Sequence, residues 1–511
     1  MTIVRAADLP QIVEQPFEVC IVGGGAMGLA LARLLEGSGR RVLVLESGFD
    51  DHDADQQALG EVLTGGLPLR TDVTSHPRRL GGATNEWGGR CIEHVSIDLE
   101  PRSWVAHSGW PLSIASLEEH YPVIEDLIGL QDAPPLGPEA AVFRAGGAFD
   151  VETFRWAETV EFGPRWRDLL DRSTTVAVAL GATVVGLRFD DARVDGVEVA
   201  TVDGQRFAVG ARTVVLAAAG MENVRLLAFE QQRRGGDLGG PQLGRRVMEH
   251  PKTREGGWIV PTDRYPDAWL TKQTVEGMEI HRFVRISDDA QRRNELLNHA
   301  VYLDDPVRSD FNTAGYQAQR ALRHSKVGSA EWRRAALGTV RNAGSIARYA
   351  LRKRRGELGP IDHILMVNQL DQPPDNGSTI SLGDTVDRHG VPLPVFDWRI
   401  GDQELDSLRW LHERLDAQFR AQGWGHVESP FLTGEGDEVT WLNASHPMGG
   451  TRMATSPADG VVNADLLVHG TTNLYVTGVS ALPTAGYANP TFTALALTSR
   501  LAAHLIDGMS G

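Results

Sequence analysis

The chain has 511 residues, is 41% hydrophobic and 23% charged, and carries 56 glycines and a net charge of -17. Two or three domains with a large core fit that length, while the negative charge argues against a nucleic-acid binder and no apolar run is long enough to predict a transmembrane helix. The start MTIVRAADLP lacks the basic and apolar segments of a secretory signal. The two cysteines form neither a metal pair nor a disulfide framework, and the 16 histidines show no ligand spacing. A reducing cytoplasm and no metal are the expectations.

Phe17 to Gly48, FEVCIVGGGAMGLALARLLEGSGRRVLVLESG, is the first informative stretch. It predicts a buried strand over 17–22, a helix carrying Leu29, Leu31, Leu34 and Leu35, and a second strand ending at Glu46. Between the first strand and the helix stands Gly23-x-Gly25-x-x-Gly28. Gly23 permits a tight turn, Gly25 lets the backbone approach a pyrophosphate, and Gly28 lets helix and strand pack closely. The helix N-terminus offers free N–H groups to phosphates, and Glu46 can accept from ribose hydroxyls. A glycine turn without a ligand is the bland alternative, but the complete strand–turn–helix–strand unit with its terminal acid favours a dinucleotide. The motif does not separate FAD from NAD; its place beside the N-terminus favours FAD.

Next comes RRLGGATNEWGGRC, Arg78 to Cys91, with four glycines between Gly81 and Gly89. Such a loop can wrap a flat ring, and Trp87 argues against a merely mobile loop, since a large aromatic packs on something. Residues 175–215 alternate short strands and turns, predicting antiparallel hairpins that return to the first domain. Arg212 to Leu227 then predicts a strand of small residues ending at Ala219, broken by Gly220, and a helix. Plain parallel-sheet packing explains that run as well as a ligand does. Arg320 to Arg355 holds eleven Lys/Arg against one acid, Glu331. One or two helices are expected there, docking on the protein's own acidic surface; a lid, an oligomer contact or a membrane-surface helix are the sharper alternatives. Gln372 to Ile400 again predicts strands and turns, expected in the sheet of a substrate domain.

The C-terminal block, Asn443 to Asp507, is dense with special residues. His446 precedes a proline and is expected to be extended. NLYVTG, Asn473 to Gly478, predicts a short buried strand ending in glycine. In GYANPTFTALAL, Asn489 before Pro490 predicts the start of the last helix. By itself a histidine in a Pro/Gly loop is structural, and an Asn before Pro is a helix cap.

Taken in order, the N-terminal glycine motif, the GGATNEWGG loop and this C-terminal block resemble the glucose–methanol–choline (GMC) oxidoreductases. Within that family LPTAGYANPTFTALAL is most similar to the pyranose 2-oxidase branch and to bacterial glycoside 3-oxidases. The likeness spans roughly 1–100, 210–250 and 360–511, whereas 255–355 matches no motif. It implies an α/β fold: a Rossmann-type FAD-binding domain built from 1–100, 175–250 and 440–511. A mixed antiparallel-sheet substrate domain would take 101–174 and 251–439, with a basic helical insertion at about 316–357. It further implies that His446 is the catalytic histidine and Asn489 the second active-site residue. Gly23, Gly25, Gly28, Glu46, Gly82, Ala83, Thr84, Asn85, Trp87, Val184, Ala219, Gly478, Pro490 and Thr491 are the implied FAD contacts. In pyranose 2-oxidases the loop reads Thr-His-Trp and its histidine is bonded to the flavin; here the positions read Asn85-Glu86-Trp87, so FAD is expected to be non-covalent.

Under that resemblance a sugar or glycoside secondary alcohol, at C2 or C3 of a pyranose, gives its proton to His446 and its hydride to the flavin. Oxygen or another acceptor then takes the electrons. Asn489 would hold the substrate oxygen, and Asn368 and Gln369 are candidate sugar contacts. Two alternatives stay open. One is a choline-like or sterol-like alcohol, which would need a pocket richer in Phe, Leu and Met than the polar middle of this chain suggests. The other is a flavin-binding subunit without catalysis. The oligomeric state is left open, and neither a nucleic-acid nor a membrane partner is expected.

Overall fold

The computed structural model describes residues 3–12, 16–70, 75–137, 139–253, 256–266, 270–275, 277–308, 318, 322, 330–355, 359–436 and 439–508. Its first sheet is built on Phe17–Val22, which pairs in parallel with Val42–Glu46 on one side and with the second half of Arg206–Leu216 on the other. Val176–Leu180 and Ile3–Arg5 continue the sheet in the same direction beyond Val42–Glu46. Leu474–Val476 pairs in parallel with the last residues of Arg206–Leu216. The first half of that long strand instead pairs antiparallel with Arg193–Ala200, which pairs with Thr183–Asp190. Phe17–Val22 and Val42–Glu46 are buried along almost their whole length, as strands covered on both faces must be. The helices Ala26–Leu35 and Thr491–Gly508 pack on one another, the latter buried from Phe492 through Ser499.

A second, antiparallel sheet runs Gly425–Glu428, Trp258–Pro261, Ile361–Gln369, Ala300–Arg308, Met278–Ile286, Phe149–Trp156 and Arg90–Cys91, with Lys272–Val275 paired to Met278–Ile286. The helix Asp402–Gln422 covers it through Leu408, Leu411, Leu415 and Phe419, spaced three or four apart on one face. Gly423, at φ 68°, ends that helix in the left-handed conformation glycine adopts at low cost.

Two segments sit differently from the expectation. Of residues 101–174, only the part from about 139 to 156 joins the second sheet and its core. Leu117, Ile124, Ile128, Phe162, Trp166 and Leu170 bury against the first sheet's core. The hairpin Thr379–Val386 and Pro392–Asp397 lies outside the large antiparallel sheet, forming a small sheet with Leu63–Thr64. Its apolar side, Ile380, Phe396 and Trp398, needs cover and finds it on Met221 and Val224 of the helix Gly220–Arg234.

In the basic segment, Ala330–Arg341 and Ala343–Arg355 are helices with Leu337, Val340 and Leu351 exposed. Arg320, Arg323 and Lys326 lie outside the described residues. Cys20 and Cys91 are buried free thiols, both pushed up to about 12 by burial. Among the described residues no helix is long and apolar enough to cross a membrane, and no cluster of three His, Cys, Asp or Glu is placed to hold a metal.

Candidate active site

The parallel strands of the first sheet deliver their carboxyl ends to one cavity of about 670 Å³, which is where open α/β sheets bind ligands. Gly23 turns there at φ 107°, and a Cβ on it would lie 2.6 Å from the Ala217 carbonyl oxygen. Gly82, at φ 52°, comes so close to Gly25 that a Cβ would meet the Gly25 Cα at 2.9 Å. Gly25 precedes the helix Ala26–Leu35 in an extended conformation with no side-chain cap, so first-turn N–H groups are left for a ligand. The buried Glu46 carboxylate accepts from Gly24 N (2.8 Å) and Gly48 N (2.7 Å) and still lines the cavity. Each carboxylate oxygen keeps a further acceptor site.

Most of the residues named from sequence share this wall: Gly23, Gly25, Glu46, Gly82, Ala83, Thr84, Trp87, Val184, Ala219, Gly478, Pro490 and Thr491, together with His446 and Asn489. Trp87 is fixed by donating from Nε1 to the Val160 carbonyl (2.6 Å) and by an edge contact with Phe162. Four others do not line the cavity. Gly28 packs against Gly23, whose carbonyl oxygen occupies the space a Cβ would need. Asn85 turns inward, its amide donating to the Leu80 (3.0 Å) and Gly82 (2.9 Å) carbonyls, and so shapes the loop. Asn368 is buried, donating to the Gly256 carbonyl and meeting His412 Nε2 through Oδ1. Gln369 is buried behind Asn489, donating to the Tyr487 carbonyl (2.6 Å) and to Asn489 Oδ1 (3.3 Å). Asn368 and Gln369 are thus placed as supports and away from the sugar contacts expected of them.

His446 sits in a loop held at both sides. Pro251–Thr253 pairs with Trp441–Asn443, and Met248 and Met448 exchange backbone hydrogen bonds of 2.8 Å. Between these ties, both oxygens of the buried Glu249 carboxylate accept from His446 N, at 2.7 and 2.9 Å. Ser445 takes φ 65°, a strained value for a non-glycine residue, and so turns His446 out of the ladder. Among the described residues the buried His446 Nδ1 has no partner. Burial, and then the charges of His250, Lys252, Arg90 and His76, hold the imidazole well below its ordinary 6.5. It is therefore neutral at pH 7, the state that can accept a proton.

Asn489 does not cap its helix. Its Oδ1 is taken by Gln369, which leaves the Nδ2 amide as the donor available to the cavity. The His250 ring lies between the two residues: 5.5 Å from the His446 ring and edge-on to it, with its nitrogens on the Leu370 (2.8 Å) and Ala488 (3.0 Å) carbonyls. Glu249 and His250 thus tether His446 and the residue before Asn489 from one dipeptide. Neither was singled out from sequence. The available signal was the repetition of His before Pro, in MEHPK as in SHPMG. Arg90 and Lys252 also line the cavity and lacked any local signature.

The glycine cradle, the uncapped helix end, the acceptor at Glu46 and the length of wall fit FAD. When bound, FAD supplies a two-electron acceptor beside His446 and Asn489.

Comparison with known proteins agrees. A family model described as FAD dependent oxidoreductase matches residues 18–242, and one described as GMC oxidoreductase matches 374–498. The chain is 25% identical to 6'''-hydroxyparomomycin C oxidase of Streptomyces lividus, over 97% of this chain and 93% of that one. It is 26% identical to C-glycoside 3-oxidase of Arthrobacter globiformis, over 63% and 68%. In fold it is similar to pyridoxine 4-oxidase from Mesorbium loti, with a TM-score of 0.59 at 16% identity over 96% and 99% of the two chains. The two matched segments lie on the two walls of one cavity, and they make this chain similar to the GMC oxidoreductases, FAD-dependent enzymes acting on CH–OH groups.

Proposed function

We propose that the protein oxidises a secondary alcohol of a sugar or glycoside, at C2 or C3 of a pyranose, to the ketone. The observation that carries this reading is the convergence of a neutral histidine and a free amide on the FAD cavity. His446 accepts the proton from the hydroxyl oxygen, and bound FAD would supply the two-electron acceptor for the hydride of the carbinol carbon. A positioned base of this kind contributes about 10²–10⁴ in rate. The Asn489 amide donates to the oxygen as negative charge develops there. The N-terminus of the helix beginning at Thr491 adds a positive dipole end to the same wall. The sugar class is supported by the relatives, whose names specify a hydroxyparomomycin and a C-glycoside.

FAD in this reading is held without a covalent bond. Glu86 lines the cavity where a linking histidine stands in pyranose 2-oxidases, and it pairs with Arg79 at 3.3 Å. Acid precipitation should release all the flavin into the supernatant.

His446→Ala and Asn489→Ala should bind FAD normally, and the histidine variant should lose at least about a hundredfold in anaerobic flavin bleaching by glycosides. Bleaching of His446→Ala at the wild-type rate sinks the assignment. Readmission of air then distinguishes oxygen from another acceptor.

A further inference from the structure

Resting on the sugar-oxidising reading, the charges on the cavity wall narrow the substrate class. Every carboxylate among the described lining residues is already engaged. Glu46 accepts from two backbone N–H groups, Glu86 pairs with Arg79, Glu222 with Arg78 (3.1 Å), and Asp387 with Arg225 (2.7 Å). Lys252 and Arg90 also line the wall, and among the described residues neither forms an ion pair; the buried Glu249, which does not line the cavity, is the carboxylate that acts on Lys252 from behind. Lys252 lies part-buried beside the His446 loop, one residue after His250-Pro251 and opposite Leu442 in the ladder, and among the described residues its ammonium group makes no hydrogen bond or ion pair. Arg90 lies with its guanidinium carbon 4.3 Å from the Phe154 ring centre and 4.7 Å from that of Tyr302. A guanidinium resting on aromatic faces keeps its in-plane N–H edge for a planar acceptor, and a carboxylate matches that fork with two parallel hydrogen bonds. Both cations act on the His446 imidazole, so they lie within electrostatic reach of the atoms that react.

We propose that Lys252 and Arg90 form an anion subsite beside His446, and that the preferred substrate is an acidic sugar or glycoside of the uronate type. A sugar bearing ammonium groups meets two cations held in no ion pair at this wall and is disfavoured, because like charges brought together cost binding free energy that opposite charges recover. The same two cations favour the alkoxide developing at the oxidised hydroxyl, so neutral sugars remain substrates.

The test uses the FAD-loaded enzyme and three probes that differ only at C6: methyl β-glucopyranoside, its uronate, and its 6-amino-6-deoxy analogue. At fixed ionic strength with an artificial acceptor, kcat/KM should fall from uronate to neutral to amine, by about tenfold per step. Lys252→Met, and Arg90→Gln as a second variant should the first not fold, should bring the uronate-to-neutral ratio to within about threefold of one. Oxidation of the amine as readily as the neutral sugar overturns the proposal, as does a ratio untouched by both substitutions. If Lys252→Met instead shifts the flavin potential and sulfite affinity while the ratio stands, the cation serves the cofactor and the proposal fails. Turnover of none of the three probes counts against the pyranose reading. Calorimetry then still decides the subsite: tighter binding of the uronate than the amine upholds it, and equal binding refutes it.

Discussion

Gly220 opens the helix Gly220–Arg234 directly beneath the His446 loop. A Cβ built there would fall well inside 3.0 Å of the Pro447 carbonyl oxygen and 3.3 Å from both Pro447 C and Cγ. Gly220 has no left-handed φ, so Gly220→Ala introduces no backbone strain of its own and the collision is the whole perturbation. Ordinary contact requires the Pro447 carbonyl to retreat by about 1 Å, and His446 is the adjacent residue, pinned from the other side by Glu249. A misplacement of about 1 Å costs on the order of a hundredfold in rate, and the overpacking costs about 1–3 kcal/mol in stability. The assay is anaerobic rapid mixing with an oxidisable glycoside, following flavin absorbance at saturating substrate. Bound FAD per chain should be unchanged and the reduction rate should drop about a hundredfold. Gly236→Ala is the control, since a Cβ there meets nothing within 4 Å. Flavin reduction in Gly220→Ala at a rate close to that of the Gly236→Ala control would show that the loop yields without moving the base, and the reasoning fails.

Arg102 and Asp371 form an ion pair of 3.2 Å with both side chains fully buried, and Asp371 Oδ2 also accepts from Asn298 N. Arg102→Met strands the carboxylate and should cost about 3–5 kcal/mol, read as a lowered midpoint in denaturant; a shift too small to measure would deny the pair its role. Because Leu370, beside Asp371, carries the carbonyl that meets His250, flavin reduction should slow as well. Burial pushes the Glu249 carboxyl up from 4.5 to about 7, against the hydrogen bonds it accepts from His250 N and His446 N. A carboxyl raised on folding gives stability that is fully present below pH 4.5 and is lost as pH rises through about 7, here roughly 3 kcal/mol. In Glu249→Gln that share of the pH dependence should vanish from melting curves taken between pH 4.5 and 8. Parallel curves for variant and wild type across that range would refute it.

Local order carried much of this. The glycine spacing of 23, 25 and 28 between an apolar run and a leucine-bearing helix follows from near-neighbour sterics, and the first strand, helix and second strand formed where the pattern put them. The basic stretch also gave its helices. The small hairpin of 379–397 and the helical parts of 101–174 went elsewhere, because an amphipathic face records that it will be buried and not against which partner.

At the site the division is sharper. His446 and Asn489 stand out by their Pro/Gly surroundings and by family likeness, and both line the cavity. Asn368 and Gln369, the candidate sugar contacts, are buried and hydrogen-bonded as supports. The sequence by itself determined the dinucleotide cradle, because that chemistry needs glycines and a helix end contiguous in the chain. Only tertiary structure decided the rest: Glu249 beneath His446, His250 between the two residues, and Lys252 and Arg90 on one wall. Those groups come from segments that meet in space through ladder and sheet pairing, and charges so brought together leave no periodic trace along the chain.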